Sequence, residues 1–92
     1  MATVASTPPF TRSEIANLKI TAAVFLAPRL RALAETTKSY PADTTFEAWQ
    51  SELNQMARAL ELVISHPETP DEVAEHNAGL ELLGRRFQHL WS

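Results

Sequence analysis

Apolar residues recur with heptad spacing between residues 44 and 65, and this stretch constrains the fold more than any other part of the chain. Successive members lie three, four, three, four and three residues apart, so their side chains form one stripe along a helix. A helix of this length extends about 33 Å. The stripe therefore predicts a protein built by the packing of long helices. Its residues are Phe46, Trp49, Leu53, Met56, Leu60 and Val63.

Three capping signals mark the starts of three helices. Thr11 and Glu14 have the spacing of a capping box, in which each side chain accepts a hydrogen bond from a backbone N–H at the helix start. Thr44 and Glu47 repeat this spacing just before the apolar stripe. Residues 69–72 (Thr-Pro-Asp-Glu) add a proline at the first helical position, where its missing N–H costs nothing.

Prolines mark the ends of the first two helices. Pro41 and Pro67 disfavour helical backbone at the residue before them, and the connections that they leave are short enough to force antiparallel neighbours. We therefore predict an all-α fold, a three-helix up-down-up antiparallel bundle with helices at about 12–38, 44–65 and 70–91. Residues 10–92 are predicted to form this single domain, and residues 1–9 a disordered N-terminal tail.

The composition limits the classes of protein to consider. The chain has 92 residues, enough for one domain whose core gives only marginal stability without good caps or oligomerisation. It contains no cysteine, which excludes disulfides and thiolate metal sites. Its net charge of −3 argues against a broad phosphate-binding surface, so no nucleic-acid partner is predicted.

The apolar character of the N-terminal third does not indicate a membrane protein. No positively charged start followed by an apolar run is present, so no signal peptide is predicted. The most apolar stretch, residues 15–33, contains Lys19, Pro28, Arg29 and Arg31, which make insertion into a bilayer costly. The sequence therefore predicts a soluble cytoplasmic protein with no membrane partner.

The first predicted helix is apolar over more than half of its circumference. Pro28 is expected to kink this helix without breaking it. The face expected to close the three-helix core consists of Ile15, Leu18, Ala22, Phe25, Leu26, Leu30 and Leu33. A second strip, about 100° away on a helical wheel, consists of Ala16, Ile20, Ala23, Ala27 and Ala34, with Val24 beyond it.

The small residues of this alanine strip have two interpretations. In the first, the third helix of the same chain packs closely against them, with Gly79 and Gly84 as the matching surface. In the second, the strip binds a protein partner, either a second copy of the chain in a homodimer or a larger protein, since one helix of a small bundle normally needs only one apolar face. The partner-binding residues predicted on the second interpretation are Ala16, Ile20, Ala23, Val24, Ala27 and Arg31.

The sequence does not indicate a site for chemistry. His76 lies four residues after Glu72, but a di-iron carboxylate bundle would need Glu-x-x-His twice and two further glutamates, so a hydrogen-bonded histidine is the better interpretation. No nucleophile elbow or phosphate-binding loop is present. We predict no catalytic, cofactor-binding or metal-binding residues, no cofactor and no small-molecule substrate. A nucleic-acid-binding regulator and a metal-dependent helical enzyme are the alternatives to non-enzymatic protein–protein association.

The aromatic residues are expected to lock the register of the second and third helices. Phe46 and Trp49 open the second helix, whereas Phe87 and Trp91 close the third, so an antiparallel pair of helices would bring all four together at one end. On the same wheels, Leu62 and Leu82 are expected to face outward.

Residues 79–91 resemble the ends of short uncharacterised helical proteins encoded by phages and prophages. The resemblance rests on the pair Gly79-Leu80, the later aromatic Phe87 and the terminal pair Leu90-Trp91. It departs from the pattern at Leu83-Gly84, where an aromatic side chain is expected. The resemblance implies a small phage or bacterial accessory protein that acts by binding another protein, and it assigns no functional residue.

Overall fold

The structure is a computed structural model that describes residues 8–91. The regular secondary structure in this range is entirely helical, which confirms the predicted all-α class. It consists of α1 (Arg12–Ala16), α2 (Leu18–Thr36), α3 (Phe46–Ser65), α4 (Pro70–Arg86) and a short 3-10 helix (Phe87–His89). Residues 1–7 of the predicted tail and Ser92 lie outside the described residues, whereas Pro8 and Pro9 are exposed and not helical.

The prediction of one continuous first helix over residues 12–38 is wrong at two points. Asn17 adopts a non-helical conformation with φ −136° and ψ 70°, so the helix is divided into α1 and α2. The hydroxyl of Thr21 donates to the carbonyl of Glu14 at 2.6 Å, which ties α1 to the first turn of α2 across this break. The helix also ends at Thr36, because Thr37 turns into extended backbone. It continues through Pro28, as predicted.

The capping signals are confirmed at α1 and α4 and displaced by one residue at α3. Thr11 and Thr69 each form a complete capping box with the glutamate three residues later. At α3 the cap is Thr45, whose hydroxyl accepts from the N–H of Ala48 at 3.1 Å, instead of Thr44. The residue that caps the C-terminal end of α3 is His66, with a positive φ of 67°.

The central element of the fold is α3, which packs against α2. The Arg31 guanidinium meets the Glu61 carboxylate at 2.8 Å, and one turn further along α2 the carbonyl of Ala34 accepts from the Gln50 amide at 2.8 Å. Later residues of α2 therefore face earlier residues of α3, so the two helices are antiparallel.

On its other side α3 packs against α4, also antiparallel. Arg58 lies within 3.9 Å of Glu72 at the start of α4, and Glu52 lies 2.8 Å from Arg86 at its end. No Cα atom of α2 lies within 8 Å of a Cα atom of α4. The long helices thus form a sequence of two antiparallel pairs that share α3.

The position of α3 between two neighbours explains its burial. Five of the six residues of its heptad stripe are buried and Phe46 is half-buried. Leu62 and Leu82 are also buried, so the prediction that they face outward is wrong. Because α3 has helices on two sides, it must bury more than the single stripe that a two-helix contact requires. The further buried residues of α3 are Ala57, Ala59 and Leu62.

None of the helices within residues 8–91 has the length and apolar character that crossing a membrane requires.

Candidate protein-binding surface

The structure divides the predicted partner-binding residues between the interior and the surface. Ala23 and Ala27 are buried in the same core cluster as Met56 and Leu60 of α3. Their small side chains allow α2 to lie close to α3. Of the remaining residues, Ala16 and Val24 are exposed, and Ile20 and Arg31 are half-buried.

The glycines of α4 do not contact the alanine strip. Gly79 lies against α3, where a Cβ atom added to it would meet the side chain of Ala59 and, at 2.7 Å, the carbonyl oxygen of Gln55. Gly84 has no heavy atom within 4 Å of such a Cβ position, apart from its own helix backbone and chain neighbours. The first interpretation of the strip, packing against Gly79 and Gly84, is therefore wrong. The alanines pack within the chain, but against α3.

The face of the first helix that was expected to close the core is largely exposed instead. Leu30 is buried in the core, and Leu26 and Leu33 are partly buried against it. The N-terminal part of this face turns away, because α2 contacts α3 through its alanines and makes no close approach to α4. The exposed residues of this face are Ile15, Leu18, Ala22 and Phe25.

Five of the exposed large apolar residues lie between residues 10 and 25, from just before α1 to the middle of α2. The contacts that Arg31 and Ala34 make with α3 set the register of the two helices. Because both helices rise by the same distance per residue, the end of α3 lies beside the first two turns of α2. The residues of α1, which precede this part of α2, contact no helix other than α2. The Cα radius of gyration is 15.7 Å, against about 12 Å for a compact domain of this length.

We call this region the α1–α2 surface. It is defined by large apolar side chains that are about half exposed, including Val24 at 55% and Phe25 at 56%. Large apolar patches exposed on a protein often mark a binding surface. The five residues of the α1–α2 surface are Phe10, Ile15, Leu18, Val24 and Phe25.

A groove runs through the α1–α2 surface between α1 and α2. Its volume is about 490 Å³, and its floor is held by the hydrogen bond from Thr21 to the carbonyl of Glu14. This bond fixes the angle between the two helices, so the groove depends on the break at Asn17. The residues that line the groove are Ser13, Glu14, Asn17, Ile20, Thr21, Val24, Phe25 and Arg29.

One acidic and one basic residue, Glu14 and Arg29, are among those that line this groove. Arg29 places its guanidinium 3.9 Å from the centroid of the Phe25 ring and donates to the carbonyl of Phe25 at 2.9 Å. The backbone carbonyl of Glu14 accepts from Thr21, whereas its carboxylate accepts from the Thr11 N–H in the α1 cap. Within residues 8–91, neither Glu14 nor Arg29 is in an ion pair.

Arg31, the charged member of the predicted set, is half-buried and bound to α3. Two of its nitrogens donate to the two carboxylate oxygens of Glu61, at 3.0 and 2.8 Å, and a third donates to Asn54 at 3.0 Å. This bidentate hydrogen bonding raises the pKa of Arg31 and lowers the pKa of Glu61. Arg31 thus fastens α2 to α3.

The Arg31–Glu61 pair leads to a prediction for stability in acid. A carboxyl whose pKa is lowered by folding stabilises the protein above its unfolded pKa of about 4.5, and this contribution disappears as the pH falls through the lowered value. The wild type should therefore exceed Glu61→Gln in urea midpoint at pH 7, and the difference should disappear as the pH falls below about 4.5. The control is Glu35→Gln, at an exposed position on α2. Its urea midpoint should vary with pH as that of the wild type does. If the urea midpoints of Glu61→Gln and Glu35→Gln depended on pH in the same way, this role of the Arg31–Glu61 pair would be contradicted.

The opposite end of the molecule contains a cluster that the sequence did not predict. Arg86 is half-buried, meets Glu52 at 2.8 Å and Asp43 at 2.9 Å, and lies 5.8 Å from the ring centroid of Trp49. Its hydrogen bond lowers the pKa of Asp43. The end of α4 is thereby fixed by charge–charge and cation–π contacts.

The four-residue aromatic cluster predicted at this end is not formed. Trp49 is buried and Phe46 half-buried, but Phe87 and Trp91 are exposed. The ring of Phe46 contacts Tyr40 edge-on, with centroids 6.3 Å apart. The arginine therefore takes the place next to Trp49 that the sequence analysis assigned to aromatic rings.

Other candidate groups have local partners. His76 is half-buried, and its Nδ1 lies 2.9 Å from the side-chain oxygen of Asn77. The backbone N–H groups of Glu68 and Thr69 donate to Glu72, which lowers its pKa. In the described part of the chain, no three His, Asp or Glu side chains are grouped as a metal site would require.

Comparisons of the chain with models of protein families, with curated proteins and with solved structures gave no match.

Proposed function

We propose that this protein is non-enzymatic and acts by binding another protein through the α1–α2 surface. The observation that carries the proposal is the group of five half-exposed apolar side chains on residues 10–25, which lie just before α1, on α1 and on the outer side of α2. An apolar surface of this kind, with charged side chains at its rim, is typical of a protein interface.

The energetics favour a partner that is itself apolar at the contact. Covering the exposed half of each of these side chains contributes about 1 kcal/mol. The total of about 5 kcal/mol is similar to the lower estimates of the cost of bringing two proteins together, about 4–15 kcal/mol. The partner must therefore contribute apolar side chains of its own, as a second copy of the chain or a larger protein would do.

The proposal predicts that a charge in the middle of the α1–α2 surface abolishes binding. Val24→Glu should weaken association at least about tenfold, since a carboxylate would have to be buried among apolar side chains. Association is measured by light scattering on the purified protein and by capture of binding proteins from extract of the native host. The control is Val73→Glu on α4, the same change at a valine that is 41% exposed.

Three results would contradict the proposal. One is that the wild type neither self-associates nor binds another protein. A second is that Val24→Glu binds as the wild type does. The third is that Val73→Glu loses binding equally, which would show a general effect of the added charge instead of a specific surface. Circular dichroism of both variants should match the wild type, because both side chains lie at the surface.

A further inference from the structure

We infer that two copies of this chain exchange α4, so that the α4 of each copy packs against the α3 of the other. The connection between α3 and α4, residues 66–69, is the hinge of this exchange. Its backbone is strained when α4 folds back on its own α3, and opening the hinge removes the strain. The inference goes beyond the proposed function, because it concerns α4 and does not use the α1–α2 surface.

The strain lies at His66, the first residue after α3. Its backbone angles are φ 67° and ψ 119°, and within residues 8–91 it is the only residue with a positive φ. The ψ value also lies outside the left-handed helical region, where ψ is about 30–60°. Residues with a side chain keep such a conformation only when the surrounding structure imposes it. Here the imposed feature is the tight return of the chain from α3 to α4.

The proline after His66 prevents the usual compensation for a positive φ. Helices that end in this way normally gain hydrogen bonds from the next N–H groups to their last carbonyls. Pro67 has no N–H, and the N–H of Glu68 donates to the carboxylate of Glu72 on α4 at 3.0 Å.

Proline also determines how the strain at His66 is relieved. It favours extended backbone at the residue before it, with φ about −120° and ψ about 120–160°. The ψ of His66 is already close to this range, so a rotation about φ alone would bring the residue to its preferred conformation. That rotation changes the direction of the chain after His66, and α4 then leaves its own α3.

The contacts of α4 allow its transfer as a unit. Among the helices of residues 8–91, only α3 and the short 3-10 helix have Cα atoms within 8 Å of those of α4. Gly79 fits against Ala59, and Arg86 meets Glu52 at 2.8 Å. The α3 of a second copy presents the same surface, so these contacts would form again between the copies while both hinges lose their strain.

The hinge is long enough for a two-fold arrangement. From the end of α3 to the start of α4, residues 65–70 extend about 16 Å. The axes of packed helices are about 8–10 Å apart, so α4 can reach the α3 of a neighbouring copy. In the exchanged dimer the two hinges would run antiparallel across the two-fold axis, with the ends of both α3 helices near it.

The conformation of His66 provides the first test. Glycine adopts a positive φ without steric cost, so His66→Gly should weaken the dimer at least about tenfold by removing the strain from the closed monomer. His66→Val should strengthen the dimer, since a β-branched residue tolerates a positive φ least. The control is Glu68→Gly, at an exposed residue of the same hinge whose φ is not positive. It loosens monomer and dimer alike, so the dissociation constant should stay close to that of the wild type. Each protein is refolded from urea at several concentrations, and sedimentation equilibrium gives the dissociation constants.

Charge reversal shows whether α4 crosses from one copy to the other. Glu52→Arg and Arg86→Glu each place like charges together between α3 and α4 of one chain. An equimolar mixture of the two variants, refolded together, should form a heterodimer at least about tenfold tighter than either homodimer. Exchange joins the altered α3 to the altered α4 and leaves the other pair as in the wild type. The double variant Glu52→Arg/Arg86→Glu restores opposite charges within one chain and is the control for folding by circular dichroism.

The outcomes separate this inference from the proposed function. A wild type that stays monomeric after refolding at high concentration overturns the exchange, as does a mixture of the charge variants without preference for the heterodimer. Equal dimerisation of His66→Gly and the wild type overturns the role of the hinge. Val24→Glu should leave the exchanged dimer intact, and its loss in that variant would show that the α1–α2 surface binds the second copy instead. Binding of a different protein that Val24→Glu abolishes supports the proposed function whether or not α4 exchanges.

Discussion

Replacing Trp49 with alanine is expected to lower the free energy of unfolding by about 3–5 kcal/mol. A domain of this size has about 5–14 kcal/mol in total, so this loss is a large fraction of its stability. Trp49 is 0% exposed and belongs to the heptad stripe on α3, the helix that both neighbours share. Its removal leaves a cavity beneath the Arg86 guanidinium, which would lose its aromatic contact at 5.8 Å.

The second tryptophan provides the matched control. Trp91 is 67% exposed, so Trp91→Ala should change the free energy of unfolding by less than about 0.5 kcal/mol. Urea unfolding followed by circular dichroism compares the two variants without relying on the fluorescence that each substitution alters. Equal losses in the two variants, or a larger loss for Trp91→Ala, would contradict the burial of Trp49 at the centre of the fold.

The features that the sequence predicted correctly are those that neighbouring residues determine. The capping boxes at Thr11 and Thr69 depend on two side chains three residues apart, and the structure contains both. The heptad stripe of α3 is buried apart from the half-buried Phe46, because its spacing holds on any helix that packs along its length. The all-α class follows from these local signals.

The break in the first helix depended on a less visible signal. Pro28 is the residue most often associated with a broken helix, yet α2 continues through it. The break occurs at Asn17, where the hydroxyl of Thr21 reaches the carbonyl of Glu14 seven residues earlier. A contact across seven residues is not part of any capping pattern, so sequence spacing alone did not indicate it.

The sequence analysis placed the N-terminal part of the core face of α2 wrongly, because larger apolar side chains were assumed to face the core. In the structure, Ala23 and Ala27 contact α3, and Phe25 remains outside. Close packing between two helices favours small side chains at the contact, whereas hydrophobicity favours large ones, and a single sequence does not show which will decide. The result depends on the absence of α4 from this side of α2. The spacing therefore indicated surplus apolar residues on the first helix, and of the six residues predicted to bind a partner only Val24 is among the five exposed residues of the α1–α2 surface.

Gly79 and Gly84 are indistinguishable in the sequence, but alanine at the two positions is expected to have opposite effects. Gly79→Ala should lower the free energy of unfolding by about 2 kcal/mol, even after the gain of about 1 kcal/mol in helix propensity. The added Cβ would meet the side chain of Ala59, which is fully buried, and lie 2.7 Å from the carbonyl oxygen of Gln55. The contact therefore involves groups that cannot rotate away, and α4 would have to move off α3.

Gly84→Ala is the matched control on the same helix. Its Cβ would have no neighbour within 4 Å beyond the local helix, so the propensity gain should remain and raise the free energy of unfolding by about 0.5–1 kcal/mol. Urea unfolding at several protein concentrations measures both variants and separates fold stability from association. If Gly79→Ala stabilised the protein as much as Gly84→Ala, then α4 would not lie against α3 at Gly79. The alanine strip of α2 would then again be a candidate to contact that glycine, and the α1–α2 surface would lose the structural reason for its exposure.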